Sequence, residues 1–330
     1  MGTTVRTATA ALCAALGVAV IAAPADAAGR QKQQPRRQAV AIDFAAVAGS
    51  SPVSCGKPIA GLGTTAATAR LTDLRFFVSD VRLLRRDGRA VALKLRADSP
   101  YRVTRGKAAV TLIDLENGRG GCAGGTRGTN ASVRGTVRRG DYVGVRWTVG
   151  VPFALNHTDA TTAPAPLNSA AMAWSWQVGR KFTKIEVSDP GDGAAPWAAR
   201  TFFVHLGSTG CAGNPATGAT VRCAAANRAG VTLRRFDPKR QRIAVDLKAL
   251  LAGVDVTRNG GGAPGCMANP SDPECGPVFR AFGLRLPAAA GDGAGGHGDH
   301  AGGGDPGADG DGGHAMAAAG GQTVFRAIKR

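Results

Sequence analysis

Short apolar runs separated by glycine, proline, asparagine and aspartate dominate the chain from Ala39 onward. Val40, Ile42 and Phe44 alternate with smaller residues, and this two-residue period predicts a β-strand. Runs of the same kind recur at 74–78, 81–84, 109–115, 132–137, 142–149, 182–187, 201–206, 231–236 and 242–246. Many short strands without long helical periodicity predict an all-β fold, a sandwich or barrel of short antiparallel strands.

Local signals add detail to this pattern. Asp87-Gly88 separates two apolar runs and predicts a hairpin, because both turn positions accept a positive φ. Residues 248–253 predict about one turn of helix. Asp73, Arg75 and Asp80 place charges within the first long apolar segment, and we expect them to form a structural ion network without chemical function.

The first 27 residues have the composition of an export signal. A small apolar run at 8–23 follows Arg6, and Ala25-Asp26-Ala27 has the pattern of a cleavage site. The run is too short and too rich in alanine for a membrane anchor, so we expect no membrane span. The sequence therefore predicts a periplasmic or secreted protein.

After this signal, the sequence predicts two further parts. Residues 28–38 are polar and basic and predict a flexible leader. Residues 39–330 predict one β domain, since this length is enough for a single large β fold.

Residues 287–321 differ from the rest of the domain. They contain Gly, Ala, Pro and Asp but no basic residue, and this composition predicts disorder. Strand-like sequence resumes at 323–325, so the segment is expected to be an insertion before a last strand. His297, His300 and His314 lie in it among carboxylates, and such tracts hold copper or zinc loosely. A spacer that happens to carry histidines is the alternative.

Six cysteines remain once the signal peptide, which contains Cys13, is removed. They are Cys55, Cys122, Cys211, Cys223, Cys266 and Cys275. An even number in an exported chain predicts three disulfides. Proximity in sequence favours pairing within 211–223 and within 266–275, which leaves the first two cysteines for each other. A zinc site is the weaker alternative, because no C-x-x-C spacing occurs.

The formal net charge of +18 raises the question of nucleic acid. The basic residues are scattered and aromatic residues make up only 5% of the chain, so we expect no nucleic-acid partner. The chain has no G-x-S-x-G, H-E-x-x-H, phosphate-loop or dinucleotide motif, and no C-x-x-C-H for covalent haem. We therefore expect a binding or metal protein and no enzyme.

Two histidines outside the insertion are candidate metal ligands. His157 lies in a turn-rich loop, and Asp159 could orient its ring from two residues away. His205 lies at the end of the predicted strand 202–206, beside the cysteine pair at 211–223. The alternatives are a histidine that bonds the loop backbone and a packed strand residue. Imidazoles suit copper, but a third donor is expected, from Met172, Asp159 or a modified tryptophan.

Trp174 and Trp176 alternate, so in a strand both indoles would lie on one face. Core packing is the plain interpretation of such a pair. Adjacent indoles also offer a route by which electrons leave toward an external haem, and for that role Trp176 is preferred to Trp174. Trp147 and Trp197 are expected in the core or on the surface.

Several segments carry a resemblance to a known family. They are LTDLRFFVSDVRLL (71–84), GVPFALNHTDA (150–160), APLNSAAMAWSWQVGRKF (165–182), FFVHLGSTGCAGNP (202–215), the stretch 223–227 and GCMANPSDPEC (265–275). In these segments the chain resembles the MbnP-like family, also described as metallo-mystery pair four-Cys motif proteins. The resemblance extends over about residues 39–330.

The resemblance implies a periplasmic or exported, largely β protein that binds copper. It also implies a partner, a di-haem protein related to cytochrome c peroxidases, that oxidises a tryptophan to kynurenine. His157 and His205 would then be metal ligands, Trp174 or Trp176 the oxidised residue, and the protein a substrate and carrier without catalysis. The rival hypothesis is a metal-free secreted β-sandwich with a structural, adhesive or carbohydrate-binding role.

One position departs from the family pattern. Gly179-Arg180-Lys181-Phe182 stands where the family has Gly-Tyr-Lys-Phe. A missing tyrosine would alter electron flow to a nearby tryptophan, or would change nothing if its side chain faced solvent.

Overall fold

The structure, a computed structural model, describes residues 1–4, 36–174, 179–191, 193, 197–214, 219–286 and 321–330. The chain divides into two units, 1–35 and 36–330, and all strands and helices of the described residues belong to the second. Residues 5–27 of the predicted signal peptide and residues 28–35 of the predicted leader lie outside the described residues. Among those that are described, no helix is long and apolar enough to cross a membrane.

The strands are β1 (Arg37–Ala48), β2 (Ser51–Pro52), β3 (Pro58–Leu62), β4 (Ala67–Leu84), β5 (Ala90–Ala92), β6 (Lys94–Leu95), β7 (Arg102–Arg105), β8 (Ala108–Asp114), β9 (Ser132–Arg138), β10 (Gly144–Val149), β11 (Ala173–Trp174), β12 (Gly179–Arg180), β13 (Thr183–Ser188), β14 (Thr201–Leu206), β15 (Thr209–Asn214), β16 (Ala219–Ala225), β17 (Ala229–Leu233), β18 (Gln241–Asp246), β19 (Gly265–Cys266) and β20 (Phe325–Lys329). The helices are α1 (Phe153–Asn156), α2 (Leu247–Leu251) and α3 (Cys275–Ala281), with 3₁₀ turns at Gly120–Cys122 and Ala170–Met172.

Two large sheets contain most of these strands. One has the order β20-β18-β1-β9-β6, with β2 on β1. The other has the order β17-β10-β4-β13-β14-β19, with β3, β5 and β8 also paired to β4, and β7 to β8. Strands β11–β12 and β15–β16 form two small hairpins. The predicted all-β sandwich is confirmed, although two pairings, β1–β18 and β14–β19, are parallel and correct the purely antiparallel expectation.

The first long apolar segment folds as one strand and not as the two that the sequence predicted. β4 runs through 18 residues, and Asp80 has a φ of +53° where the register with β10 shifts. The polar break at Asp80 therefore marks a β-bulge, which bends a strand without ending it. The predicted hairpin at Asp87-Gly88 is present between β4 and β5, and the predicted helical turn is α2.

The main core lies between the two large sheets, and β4 is buried on both of its faces. Phe76 faces this core, where its ring centroid lies 5.4 Å from that of Phe44 in β1. The next residue, Phe77, faces the opposite side because successive strand residues alternate. It packs there with Leu155, Met172 and others in a second apolar cluster. Segment 151–172, which includes the His157 loop, therefore covers the outer face of the larger sheet.

Three disulfides join Cys55 to Cys122, Cys211 to Cys223 and Cys266 to Cys275, as the sequence predicted. The second crosses the β15–β16 hairpin between directly opposed residues, and the third connects β19 to α3. After the insertion, whose residues 287–320 lie outside the described part, the chain returns as β20 and pairs with β18. β1 begins at Arg37, two residues inside the predicted leader.

Candidate metal centre

His205 lies on β14, and a hydrogen bond from one of its two ring nitrogens fixes the imidazole. The residue is 5% exposed, and its Nε2 lies 2.7 Å from Oε1 of Glu186 on the neighbouring strand β13. The Phe203 ring stacks on the imidazole at 5.2 Å with an interplanar angle of 6°. Among the residues that the structure describes, Nδ1 of His205 has no hydrogen-bond partner. A buried imidazole fixed by a carboxylate, with its second nitrogen unused, is the arrangement of a metal-ligating histidine.

Burial favours the neutral form of His205. Burial lowers the pKa of His205 more strongly than Glu186 raises it. Burial also opposes ionisation of Glu186, but hydrogen bonds from His205 and Lys184 outweigh it and hold the pKa of Glu186 at about 2. With Glu186 ionised, Nε2 of a neutral His205 carries the proton and donates it, so Nδ1 has a lone pair.

This pair belongs to a longer network on the outer face of the sheet. Lys184 lies 2.9 Å from Glu186 Oε1 and 2.6 Å from Asp73 Oδ2, and Arg75 pairs with Asp73. The sequence predicted the Asp73 and Arg75 part of it. Asp80 is separate, because its carboxylate pairs with Arg228.

His157 follows α1 and lies against the disulfide of the β15–β16 hairpin. Its Nε2 lies 3.3 Å from Cys223 Sγ and 3.0 Å from Asn156 Nδ2. The Arg180 backbone N–H donates to Asn156 Oδ1 at 2.9 Å, which fixes the orientation of the amide. Nδ2 of Asn156 therefore faces the ring as a donor, and Nε2 of His157 accepts.

Arg180 is the side chain that fixes the His157 loop. It is 1% exposed, and its guanidinium donates to the carbonyl oxygens of Leu167, Asn156 and Thr158. Burial lowers the pKa of Arg180 to about 10, with Asp159 opposing this effect. The departure from the family's tyrosine therefore has a structural consequence: position 180 does not face solvent, and its arginine binds the loop on both sides of His157.

Among the described His, Cys, Asp and Glu residues, His157, Cys211 and Cys223 are the one group of three whose ligand atoms lie within 4.8 Å of one another. The two sulfurs are bonded to each other, so neither is a thiolate, the form that binds metals. With the disulfide intact, this group offers a metal only the imidazole of His157.

The predicted third donors lie in different places. Trp174 is 3% exposed, and its ring packs so closely on Gly207 that an added Cβ there would overlap the indole. Met172 is fully buried in the second apolar cluster. Asp159 is exposed, and its carboxylate accepts from Thr161 and Thr162. Among the contacts that the structure describes, Asn156 orients the ring of His157, and the predicted role of Asp159 is not seen. Trp176, His297, His300 and His314 lie outside the described residues.

The loops that carry these residues meet at one end of the larger sheet. Asn156 Nδ2 lies 3.5 Å from the hydroxyl of Ser208, three residues after His205. Gly179 contacts the Asn156 side chain, and Trp174 pairs with Gly179 across β11–β12.

The sequence analysis did not identify Glu186 and Asn156, the residues that bond the two histidines. The alternation of Lys184 and Glu186 on a predicted strand is the one signal that could have indicated the first.

Comparisons with known proteins agree with this architecture. A family model described as MbnP matches residues 37–268. Among solved structures, MbnP from Methylosinus trichosporium is similar at 39% identity with a TM-score of 0.66, over 77% of this chain and 91% of that one. A search of curated proteins found no match.

Proposed function

Because the chain belongs to the MbnP family, we propose that it is an exported copper-binding protein without catalytic activity. It would serve as the substrate and partner of a di-haem peroxidase-like protein. Three disulfides support export, since such bonds persist in oxidising compartments. We propose a periplasmic or secreted location, with residues 1–27 as the signal peptide and a domain that begins with β1 at Arg37.

The state of His205 is the observation that carries the copper assignment. An imidazole that is buried, neutral and fixed by Glu186 through Nε2 has Nδ1 left for a metal. Copper is bound well by imidazole nitrogen, so the donor type fits. His205 Nδ1 would be one ligand and a ring nitrogen of His157 another. Binding through Nε2 of His157 would require Asn156 to release it.

The third donor is proposed to be Trp176 or Trp174 after oxidation. Kynurenine has an aniline nitrogen and a ketone in place of the indole, so the modification would create a ligand where none existed. Trp174 is buried, and its oxidation would proceed by loss of electrons to the di-haem partner without direct contact with it. Met172 and Asp159 remain lesser candidates because the first is packed among apolar side chains and the second is bonded in its own turn.

The test is to produce the chain alone and together with a di-haem peroxidase-like protein encoded beside it. We expect one tightly bound copper, measured by elemental analysis, in the co-produced protein. We also expect the mass change of tryptophan to kynurenine in peptide 165–182, absent when the chain is produced alone. The W174F and W176F variants identify the modified residue. Absence of both copper and the mass change in the co-produced protein would leave only the metal-free scaffold.

A further inference from the structure

A polar cleft that no histidine lines lies where the segment between β6 and β7 meets β7, β8 and β9. Its volume is about 260 Å³. Arg96, Asp98, Ser99, Arg102, Thr111 and Arg134 are among the side chains that line it. The side chains that line this cleft are polar or charged. Their charges and hydrogen-bond donors indicate which kind of ligand the cleft could bind.

The charge of the cleft is positive. Three arginines and one aspartate line it, which gives 3 − 1 = +2. Asp98 is already used by Arg96, whose Nε lies 3.1 Å from Oδ1. Asp43, which accepts from the nearby Ser132 hydroxyl, is paired with Arg330. Arg102 and Arg134 form no salt bridge among the described residues, so their guanidiniums remain for a ligand, and the net positive charge favours an anion.

Two buried donors in the cleft have no acceptor. Nη2 of Arg102 and Oγ1 of Thr111 are both inaccessible to solvent and without a hydrogen-bond partner among the described residues. The two residues pair directly across β7 and β8, and Thr111 is only 4% exposed. A buried donor without an acceptor destabilises the folded state, so two at neighbouring positions in one cleft indicate an acceptor that binds there. Guanidinium groups offer only donors, which requires the ligand to supply the acceptors.

We propose that this cleft binds a dianionic oxyanion of the phosphate class, held by Arg102 and Thr111 and closed by Arg134. A phosphate group has enough acceptor oxygens to satisfy the forked guanidinium and the hydroxyl together, and arginine binds such groups in a bidentate manner. Arg134 is exposed and free to close over the ligand from β9. The inference is independent of the proposed copper function, since the strands that form the cleft carry neither His157 nor His205.

The first experiment titrates the full chain with inorganic phosphate and follows the thermal midpoint and the heat of binding. Chloride at the same ionic strength controls for screening of the +18 net charge. Acetate at the same ionic strength tests a monoanionic carboxylate. We expect saturable binding of phosphate, at least about tenfold tighter than that of acetate, and no saturable effect of chloride. An equal midpoint shift in chloride, or equal affinity for acetate, overturns the proposal.

Variants then locate the site. R102Q should weaken phosphate binding about tenfold or more, since it removes a charged donor. R105Q, on the same strand but outside the lining, should bind as the parent protein does. T111V should weaken binding several-fold yet leave the folded state as stable or more stable, because it removes a buried hydroxyl without an acceptor. If R102Q and T111V both fold and bind phosphate with the parent affinity, the proposal is wrong.

Discussion

Glu186 and His205 are paired across β13 and β14, with 2.7 Å between Oε1 of the carboxylate and Nε2 of the ring. This contact fixes which nitrogen carries the proton, and it leaves Nδ1 with a lone pair. The pair connects the ion network of Asp73, Arg75 and Lys184 to the candidate metal ligand. The most direct predictions concern this contact.

Glu186→Gln should lower copper affinity about tenfold or more, the usual effect of losing a carboxylate behind a ligating histidine. His205→Ala should abolish tight binding. Copper affinity is measured by competition with a chelator of known strength. Glu274→Gln, the same chemical change beside another disulfide, should bind copper as the parent protein does. Unchanged affinity in E186Q and H205A together would exclude His205 from the site.

Arg180→Lys should lower the thermal midpoint by roughly 4–8 °C. The buried guanidinium donates to carbonyls on both sides of His157, and a lysine ammonium cannot reach all of them. R180Y, which introduces the family residue, should be destabilising as well, because a phenol has one donor and cannot replace the guanidinium bonds to three carbonyl oxygens. Arg200→Lys, an exposed exchange of the same kind, should leave the midpoint unchanged. Equal midpoints for R180K and R200K would mean that the carbonyl contacts do not stabilise the loop.

Asp114 should make stability fall as pH rises from about 4 to about 7. Burial, with a smaller contribution from Glu116, raises the pKa of Asp114 from 3.8 to about 7. A raised acid pKa means that the folded state holds a proton which the unfolded state has released, so stability is lost across that interval. Thermal midpoints measured over this range should fall less steeply in D114N. D141N, on the surface, should follow the parent curve, and a D114N curve that also coincides with it would contradict the assignment.

The Cys55–Cys122 disulfide should contribute more stability than the Cys211–Cys223 disulfide. The first closes 67 residues and the second 12, which corresponds to about 4 and about 3 kcal/mol of chain entropy. The first pair is also the more deeply buried. Denaturant unfolding of the two double Cys→Ala variants measures the difference. A larger loss of stability on removal of the Cys211–Cys223 disulfide would show that its contact with His157 contributes more to stability than loop length does.

Replacing His297, His300 and His314 together with asparagine should remove weak copper binding and leave the tight site intact. The three lie among carboxylates, a composition that holds metal loosely. A copper titration of the triple variant should show fewer low-affinity equivalents and the parent affinity for the first equivalent. Loss of the first equivalent would instead place tight binding in the insertion.

Prediction from the sequence succeeded where the signal was local. The alternation in 40–44, the Asp87-Gly88 turn and the apolar run of α2 each predicted its element, because period and turn chemistry act over a few residues. Proximity in sequence also predicted the cysteine pairs, since the cysteines of the 211–223 and 266–275 pairs are only 12 and 9 residues apart.

The sequence failed where a residue's role depends on a neighbour far along the chain. The sequence predicted separate strands at 74–78 and 81–84, because the bulge at Asp80 leaves no period of its own. Asn156 had no pattern that linked it to the ring beside it. Position 180 could only be described as a departure from the family, since nothing local distinguishes a buried arginine from an exposed one.

The sequence by itself determined that this protein is an all-β, disulfide-bonded member of its family, because alternation, turns and family motifs are written in consecutive residues. Only the tertiary structure decided that Glu186 fixes the proton of His205 and that Arg180 holds the His157 loop. It also decided that Arg102 and Thr111 share a cleft in which Nη2 and Oγ1 have no hydrogen-bond partner among the described residues. Burial and hydrogen-bond partners arise when distant strands pair, and the free energy of a polar side chain depends on those partners more than on its own identity.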